Sequence, residues 1–326
     1  MERILVTGGA GFIGHHLINK LLLQRQYQLC IIDNFSTGTK EYLQSQDIDS
    51  MNNNTPPEIY EVDVLNTDRI LDILKHEAPD TCVHLAAKTS GLDSGTDPYG
   101  TVDVNVKGTL NVLEACYRCG VKNFIFASSA AVYGQVEKVP ISEEVPLRPV
   151  TVYGASKVSG EALVSSYQNA GKIEDTVSLR IFNVFGEGQR NAYAGVIKAF
   201  IERLSKGMPP VIYGGGTQTR DFISVHDVVD AIILAAKWSD KKKTPSPLLS
   251  RVFNVGTGTQ LSVSDLAMKM IKLSGLELNP LYRDKISNDD IRRSCADMGM
   301  ARKELRLNVA HNLEQSLNQL ALKPFD

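Results

Sequence analysis

Apolar and polar positions fall into alternating blocks along the first half of this chain. Short, nearly continuous apolar runs predict buried parallel strands near residues 3–8, 28–33, 58–62, 80–86, 122–128 and 176–182. Between them apolar residues return at helical spacing, which predicts helices near 12–24, 66–76, 97–119, 151–169 and 193–206. Strands that alternate with helices predict an α/β fold built on a doubly wound parallel sheet. The polar stretch from Gln44 to Pro57, with Asn52-Asn53-Asn54, predicts a surface loop. After Asn183 the alternation loosens, and Pro209-Pro210, Gly214-Gly215-Gly216 and Pro245/Pro247 interrupt shorter elements. The expected organisation is a first domain over 1–183, to which some later segments return, and a smaller C-terminal α/β lobe over 184–326. Such a lobe folds against the carboxyl ends of the strands, where open α/β sheets bind ligands.

The first strand, Arg3-Ile4-Leu5-Val6-Thr7, runs directly into glycines that satisfy both Gly9-x-Gly11-x-x-Gly14 and Gly8-x-x-Gly11-x-x-Gly14. A helical pattern from Phe12 follows at once. Strand, glycine turn and helix together make the Rossmann-type dinucleotide fingerprint. The glycines allow a tight turn and close backbone approach to a pyrophosphate, and the helix N-terminus binds its oxygens. The second strand ends at Asp33, 19 residues beyond Gly14. That is near the spacing of about 20 for an acid that accepts from ribose hydroxyls. A carboxylate there repels a 2′-phosphate, and no Arg follows in Asn34-Phe35-Ser36-Thr37-Gly38 to welcome one. The expected cofactor is NAD.

Tyr153-Gly-Ala-Ser-Lys157 adds chemistry to this frame. Residues four apart share a helix face, with Cβ atoms about 5–6 Å apart. An ammonium near a phenol favours the phenolate, so the Tyr153 pKa is expected to fall toward neutrality and make it a base for a sugar or alcohol hydroxyl. The strand Phe124-Ile125-Phe126-Ala127-Ser128-Ser129 ends in hydroxyls at the carboxyl edge of the sheet. Ser129 is therefore expected to meet Tyr153 and hydrogen-bond the oxygen that changes between hydroxyl and carbonyl. Asp63-Val64 and Leu85-Ala86-Ala87 end strands at the same edge, beside the adenine and the cofactor phosphates.

Composition narrows the partners. A chain of 326 residues with net charge −2 can bury a large core and offers no electrostatic footprint for nucleic acid or anionic membrane. Lys241-Lys242-Lys243, beside Thr244-Pro245-Ser246-Pro247, reads as a solvated loop. No apolar stretch reaches membrane-spanning length, and the first strand starts at the N-terminus, so a cytoplasmic protein is expected. Five cysteines scattered among apolar segments fit reduced thiols. Cys116-x-x-Cys119 lacks a second Cys/His pair, and His15, His16 and His84 read as structural, so no metal site is expected.

Together these motifs resemble the extended short-chain dehydrogenase/reductase family, in particular the NAD-dependent nucleotide-sugar epimerases of the UDP-glucose 4-epimerase type. The resemblance spans nearly the whole chain, through TGGAGFIG, DNFSTG, HLAA, SSAAVYG, YGASK, LRIFNVFGEGQ, YAGVI, YGGGTQTRDFISVHDVV, FNVGTG and RRSCAD. It implies that NAD is touched by Gly8, Gly11, Phe12, Ile13, Gly14, Asp33, Asn34, Ser36, Thr37, Gly38, Asp63, Val64, Leu85, Ala86, Ala87 and Lys88. Asn105, Tyr153, Lys157 and Phe182 complete that set. It also implies that Asn183, Val196, Tyr213, Gln218 and Arg220 hold the diphosphate of a UDP-sugar, with Ser129, Tyr153 and Lys157 catalytic. An Arg fork suits phosphate oxygens on charge grounds too, the alternative being a local ion pair with Asp221. The helices at 97–119 and 151–169 resemble those that pair into a homodimer interface.

Departures from the family pattern matter as well. Ser129-Ala130-Ala131 stands where sugar 4,6-dehydratases carry a hydroxyl followed by Asp and Glu, and two alanines supply neither acid nor base. Leu92-Asp93 replaces the Arg with which some glucuronate-acting relatives hold a sugar carboxylate. The family's second phosphate-binding Arg is missing from Ser287-Asn288-Asp289-Asp290, which leaves Arg292 or Arg293 to replace it. Ser294 occupies a position where relatives use a bulky residue to exclude N-acetyl groups. The expected activity is UDP-glucose/UDP-galactose 4-epimerisation, with room for the N-acetylhexosamine forms. The alternatives are a UDP-glucuronate epimerase or decarboxylase, and a catalytically silent NAD-binding sensor or scaffold.

Overall fold

The computed structural model describes residues 1–44, 56–89, 95–189, 195–238, 251–284 and 291–321. Almost all of the polar stretch from Gln44 to Pro57 lies outside them, as do Leu92, Asp93, Tyr193, Lys241 to Pro247 and Ser287 to Asp290.

In chain order the first part comprises β1 (Glu2–Thr7), α1 (Phe12–Gln24), β2 (Tyr27–Asp33), α2 (Glu41–Gln44), β3 (Glu58–Glu61), α3 (Thr67–Glu77) and β4 (Thr81–His84). It continues with α4 (Pro98–Val102), a π-helical turn (Asp103–Gly108), α5 (Thr109–Arg118), β5 (Asn123–Ser129), α6 (Val152–Asn169) and β6 (Asp175–Ile181). The second part holds β7 (Asn183–Phe185), α7 (Val196–Leu204), β8 (Val211–Tyr213), β9 (Thr219–Arg220), β10 (Phe222–Ser224) and α8 (Val225–Lys237). It ends with β11 (Val252–Val255), β12 (Leu261–Ser262), α9 (Val263–Ser274), β13 (Leu281–Arg283), a second π turn (Ala301–Leu305) and α10 (Leu313–Ala321).

Seven strands form one sheet in the order β11-β6-β5-β4-β1-β2-β3. Every neighbouring pair is parallel. Alternation along each strand divides the core into two layers. Leu5, Cys30, Ile32, Cys82, Phe124 and Phe126 join Ile70, Leu74, Leu113 and Val164 of α3, α5 and α6 on one face. Ile4, Val6, Ile31, Val83, Ile125, Leu179 and Phe253 join Leu17, Ile18, Val228 and Ile232 of α1 and α8 on the other. Strands covered by helices on both faces must read as continuous apolar runs. A third cluster, including Phe185, Phe200, Ile212, Phe222, Leu266, Met270 and Leu317, gives the C-terminal half its own core. It also holds three two-stranded sheets, β10-β7, β12-β9 and β13-β8, of which β7 follows directly on the carboxyl end of β6.

The predicted single helix over 97–119 divides into three pieces. An i→i+5 turn over Asp103–Gly108 widens the helix, the local geometry that often re-aims a side chain at a functional site. Asn105 lies in this turn and is buried.

Candidate active site

Helix α1 opens on Gly11 with no side-chain cap and no acidic residue in its first turn. By contrast, α3, α6, α8 and α9 are capped by Asn66, Thr151, Ser224 and Ser262. A helix start without a cap presents its first N–H groups and positive dipole end to an anion. The turn leading into it is built for close approach. Gly8 has φ +73°, and a Cβ on it would lie 2.6 Å from the Ala86 nitrogen. At Gly14 a Cβ would lie 2.3 Å from the Gly8 carbonyl. Neither position tolerates a side chain. Asp33, at the end of β2, accepts from the Ala10 and Phe35 N–H groups at 2.8 Å each, one per carboxylate oxygen. A carboxylate oxygen has a further lone pair for a hydroxyl. These donors and this acid fit the phosphates and ribose of a dinucleotide.

The remaining candidate cofactor residues lie around the same edge. Asp63 accepts from Asn34 Nδ2 at 2.7 Å and from the Leu65 N–H at 2.8 Å, and the Ser36 N–H donates back to Asn34 Oδ1. Gly38 runs against Ala10, and Thr37 is exposed. Val64 is buried, while Leu85, Ala86, Ala87 and Lys88 follow β4 half-buried. Asn105 Oδ1 accepts from the Lys88 N–H at 2.8 Å, and its Nδ2 donates to the Lys88 carbonyl and Ser156 Oγ at 2.9 Å each. Since Ser156 Oγ donates to the Tyr153 carbonyl, the π turn is tied to the first turn of α6. Phe182 is buried, and its N–H donates to the Val255 carbonyl.

Ser129, Tyr153 and Lys157 converge at the ends of β5 and α6. The Ser129 hydroxyl hydrogen-bonds the Tyr153 phenol, which lowers its pKa, but burial outweighs that bond and raises it overall. Burial pushes Lys157 down to about 8. The expected fall of the Tyr153 pKa toward neutrality is therefore absent from the protein alone. Lys157 Nζ donates to the Ala127 carbonyl at 2.8 Å and stands 5.9 Å from the phenol ring centre.

A buried network unforeseen in the sequence supports this helix. Arg180 of β6 pairs with Glu161 through Nε and Nη2 at 3.0 and 2.8 Å, and also donates to Tyr133 Oη and the Glu143 carbonyl. Glu161 stands one turn beyond Lys157 on α6. A charge in the middle of the apolar run 176–182 was the available signal.

Across the cleft, Asn183 opens β7, and its N–H donates to the Asp221 carbonyl at 3.1 Å. Val196 opens α7, whose Gly195 start likewise lacks a side-chain cap. Tyr213 is 43% exposed, and its carbonyl accepts from Gln218 Nε2. Arg220 Nη1 donates to the Thr219 and Ile291 carbonyls at 2.9 and 2.5 Å. The Thr219 N–H donates to the Arg292 carbonyl at 2.9 Å, so the 291–296 segment lies directly beside Arg220. Arg292 and Arg293 have exposed side chains, whereas Ser294 is buried.

A glycine turn before an uncapped helix, an acid closing the second strand, and a Ser–Tyr–Lys group at the sheet edge define a dinucleotide-dependent enzyme. The model of the NAD dependent epimerase/dehydratase family matches residues 4–256. The UDP-glucose 4-epimerase of Mycolicibacterium smegmatis is 34% identical over 305 residues, covering 93% of this chain and 92% of that one. Among solved structures, the UDP-glucose 4-epimerase of Thermotoga maritima with UDP-glucose superposes with TM-score 0.87 at 32% identity, over 98% of this chain and 97% of that one. The UDP-N-acetylglucosamine 4-epimerase of Methanobrevibacter ruminantium, in complex with UDP-N-acetylmuramic acid, superposes with TM-score 0.86 at 31% identity over the same shares. The chain belongs to the NAD-dependent epimerase/dehydratase family, and its cofactor is NAD. No helix among the described residues is long and apolar enough to cross a membrane.

Proposed function

We propose that this chain is an NAD-dependent UDP-hexose 4-epimerase acting on UDP-glucose and UDP-galactose, and on the N-acetylhexosamine forms as well. The observation that carries the reading is the convergence of Ser129 at the end of β5 with Tyr153 and Lys157 in the first turns of α6, facing a lobe whose Asn183, Arg220 and Arg292 backbone are fastened together. Bound NAD supplies the acceptor and later the donor of a hydride and, in its oxidised form, a positive charge. Tyr153 takes the proton from the sugar 4-hydroxyl and returns it to the same oxygen after the 4-keto sugar has turned over. Ser129 hydrogen-bonds that oxygen in both states, and the Lys157 ammonium favours the phenolate from a distance. Gly8, Gly11 and the α1 N-terminus hold the cofactor phosphates, and Asp33 the ribose.

The sugar must rotate between the two hydride transfers, so the anchoring belongs to the nucleotide. Arg220, Asn183, Val196, Tyr213 and Gln218 provide it, with Arg292 as the second cation. The small, buried Ser294 leaves the volume an acetamido group needs. Exposed Tyr99, Val102, Leu110 and Tyr117 on the α4–α5 stretch supply apolar surface for a homodimer.

The test is incubation of purified protein with UDP-glucose, UDP-N-acetylglucosamine and UDP-glucuronate, without added NAD, followed by separation of C4 epimers. UDP-galactose and UDP-N-acetylgalactosamine are expected, and Ser294→Tyr is expected to abolish only the second. Turnover of the uronate alone would establish the glucuronate alternative. No turnover with NAD bound would establish the silent one.

A further inference from the structure

The most heavily engaged carboxylate on the sugar side of the cleft is Asp221, which is fully buried. Its Oδ1 accepts from the Thr257 N–H at 2.8 Å and from Thr257 Oγ1 at 2.6 Å. Its Oδ2 accepts from the Gly258 and Ala296 N–H groups at 3.0 Å each. These four donors are neutral and come from two separate segments, the loop after β11 and the returning 291–298 segment. A buried carboxylate is tolerated when several preorganised N–H and O–H groups point at it. The surroundings are shaped to its size, because a Cβ on Gly256 would lie 2.8 Å from Oδ2.

The segment captured through Ala296 is the one that carries Arg292 and Ser294. On its far side it is bound to the NAD-binding half. The Ile141 N–H donates to the Cys295 carbonyl, the Asp297 N–H donates to the Ile141 carbonyl, and the Arg292 N–H donates to Gln135 Oε1. On its near side Arg220, adjacent to Asp221, donates to the Ile291 carbonyl. The Asp221 carbonyl also takes the Asn183 N–H. Four candidate substrate residues therefore share one fastening point: Asn183, Arg220, Arg292 and Ser294.

We propose that Asp221 is a positioning residue that sets the register of the 291–296 segment against Arg220, and so shapes the site for the diphosphate and sugar. The proposal rests on the reading that this side of the cleft binds a UDP-sugar. It assigns Asp221 no contact with substrate. Replacing it by Asn isolates the effect, since either amide orientation turns an NH2 toward two of the four donors. Thr257→Val is the milder change: it removes the 2.6 Å hydroxyl bond to Asp221, and with it the bond that Thr257 Oγ1 accepts from the Thr259 N–H, and keeps the other three donors to the carboxylate.

The experiment measures UDP binding by calorimetry, copurifying NAD, and the KM and kcat for UDP-glucose. Asp221→Asn is expected to weaken UDP binding and raise KM about tenfold, and Thr257→Val about threefold. NAD content should be unchanged and kcat should stay within about twofold in both variants. If Asp221→Asn does not fold, Thr257→Val decides alone. Unchanged UDP affinity in a folded variant overturns the proposal, and so does a parallel loss of NAD and UDP, which marks a structural role only. Wild-type protein that binds NAD but no UDP overturns the underlying UDP-sugar reading and this inference with it.

Discussion

Lys157→Met should make the protein more stable while destroying its activity. The ammonium is buried and pushed down from 10.5 to about 8. At about 1.4 kcal/mol per unit, carrying that charge at pH 7 costs the fold about 3 kcal/mol. Met keeps an unbranched chain and removes the charge, at the loss of the 2.8 Å bond to the Ala127 carbonyl, which offsets about 1–2 kcal/mol. The net expectation at pH 7 is a gain of about 2 kcal/mol. The pH dependence is sharper evidence. Because the folded pKa lies below the unfolded one, the unfolded chain holds the extra proton between pH 8 and 10.5. Wild-type stability is therefore penalised below this window and recovers through it as pH rises. At pH 9 the wild-type slope should exceed that of Lys157→Met by about 1.2 kcal/mol per pH unit. Urea unfolding at several pH values, beside a turnover assay, measures both quantities. A variant less stable than wild type at pH 7, with an identical pH slope, would refute the reasoning.

Two further outcomes are expected. His84 sits between Thr7 and Thr109 at 2.7 and 3.0 Å, and burial pushes it from 6.5 to about 3. It is neutral when folded and protonated when unfolded, so stability falls below pH 6.5, by about 2 kcal/mol at pH 5. Burial and neighbouring rings lower His16 to about 4 and shift His226 the same way, in an array with His16 5.1 Å from His226. Urea midpoints between pH 7.5 and 5 should show this loss, and His84→Gln should flatten the slope. Asp33→Ala should reduce copurifying NAD, read by absorbance after denaturation, and retention at the wild-type level would exclude Asp33 from ribose binding.

The sequence reading reached the sheet because its strands are buried on both faces, which leaves long apolar runs. It also located Tyr153, Lys157 and Ser129, because i,i+4 spacing and a strand end are local facts. What it missed is non-local. Asp221 looked like a neighbour for Arg220, yet its side chain is taken by Thr257, Gly258 and Ala296, residues 36 to 75 positions away. Glu161 and Arg180 lie 19 residues apart and meet only when β6 and α6 pack together. The Tyr153 pKa departs from its expected fall for the same reason, since sequence spacing says nothing of burial or of the Ala127 carbonyl that takes the Lys157 ammonium. The 97–119 pattern gave no sign of its π turn, which departs from α geometry over Asp103–Gly108 alone, inside an otherwise helical stretch.

The central claim is that a hydride leaves C4 of the sugar and returns to the same carbon inside a closed site, with Tyr153 moving the proton. Its most direct test uses UDP-glucose deuterated at C4, incubated with purified protein and no added NAD. The account predicts UDP-galactose that keeps its deuterium at C4, and no product at all from Tyr153→Phe. Deuterium lost to solvent, or turnover near the wild-type rate in Tyr153→Phe, would contradict it.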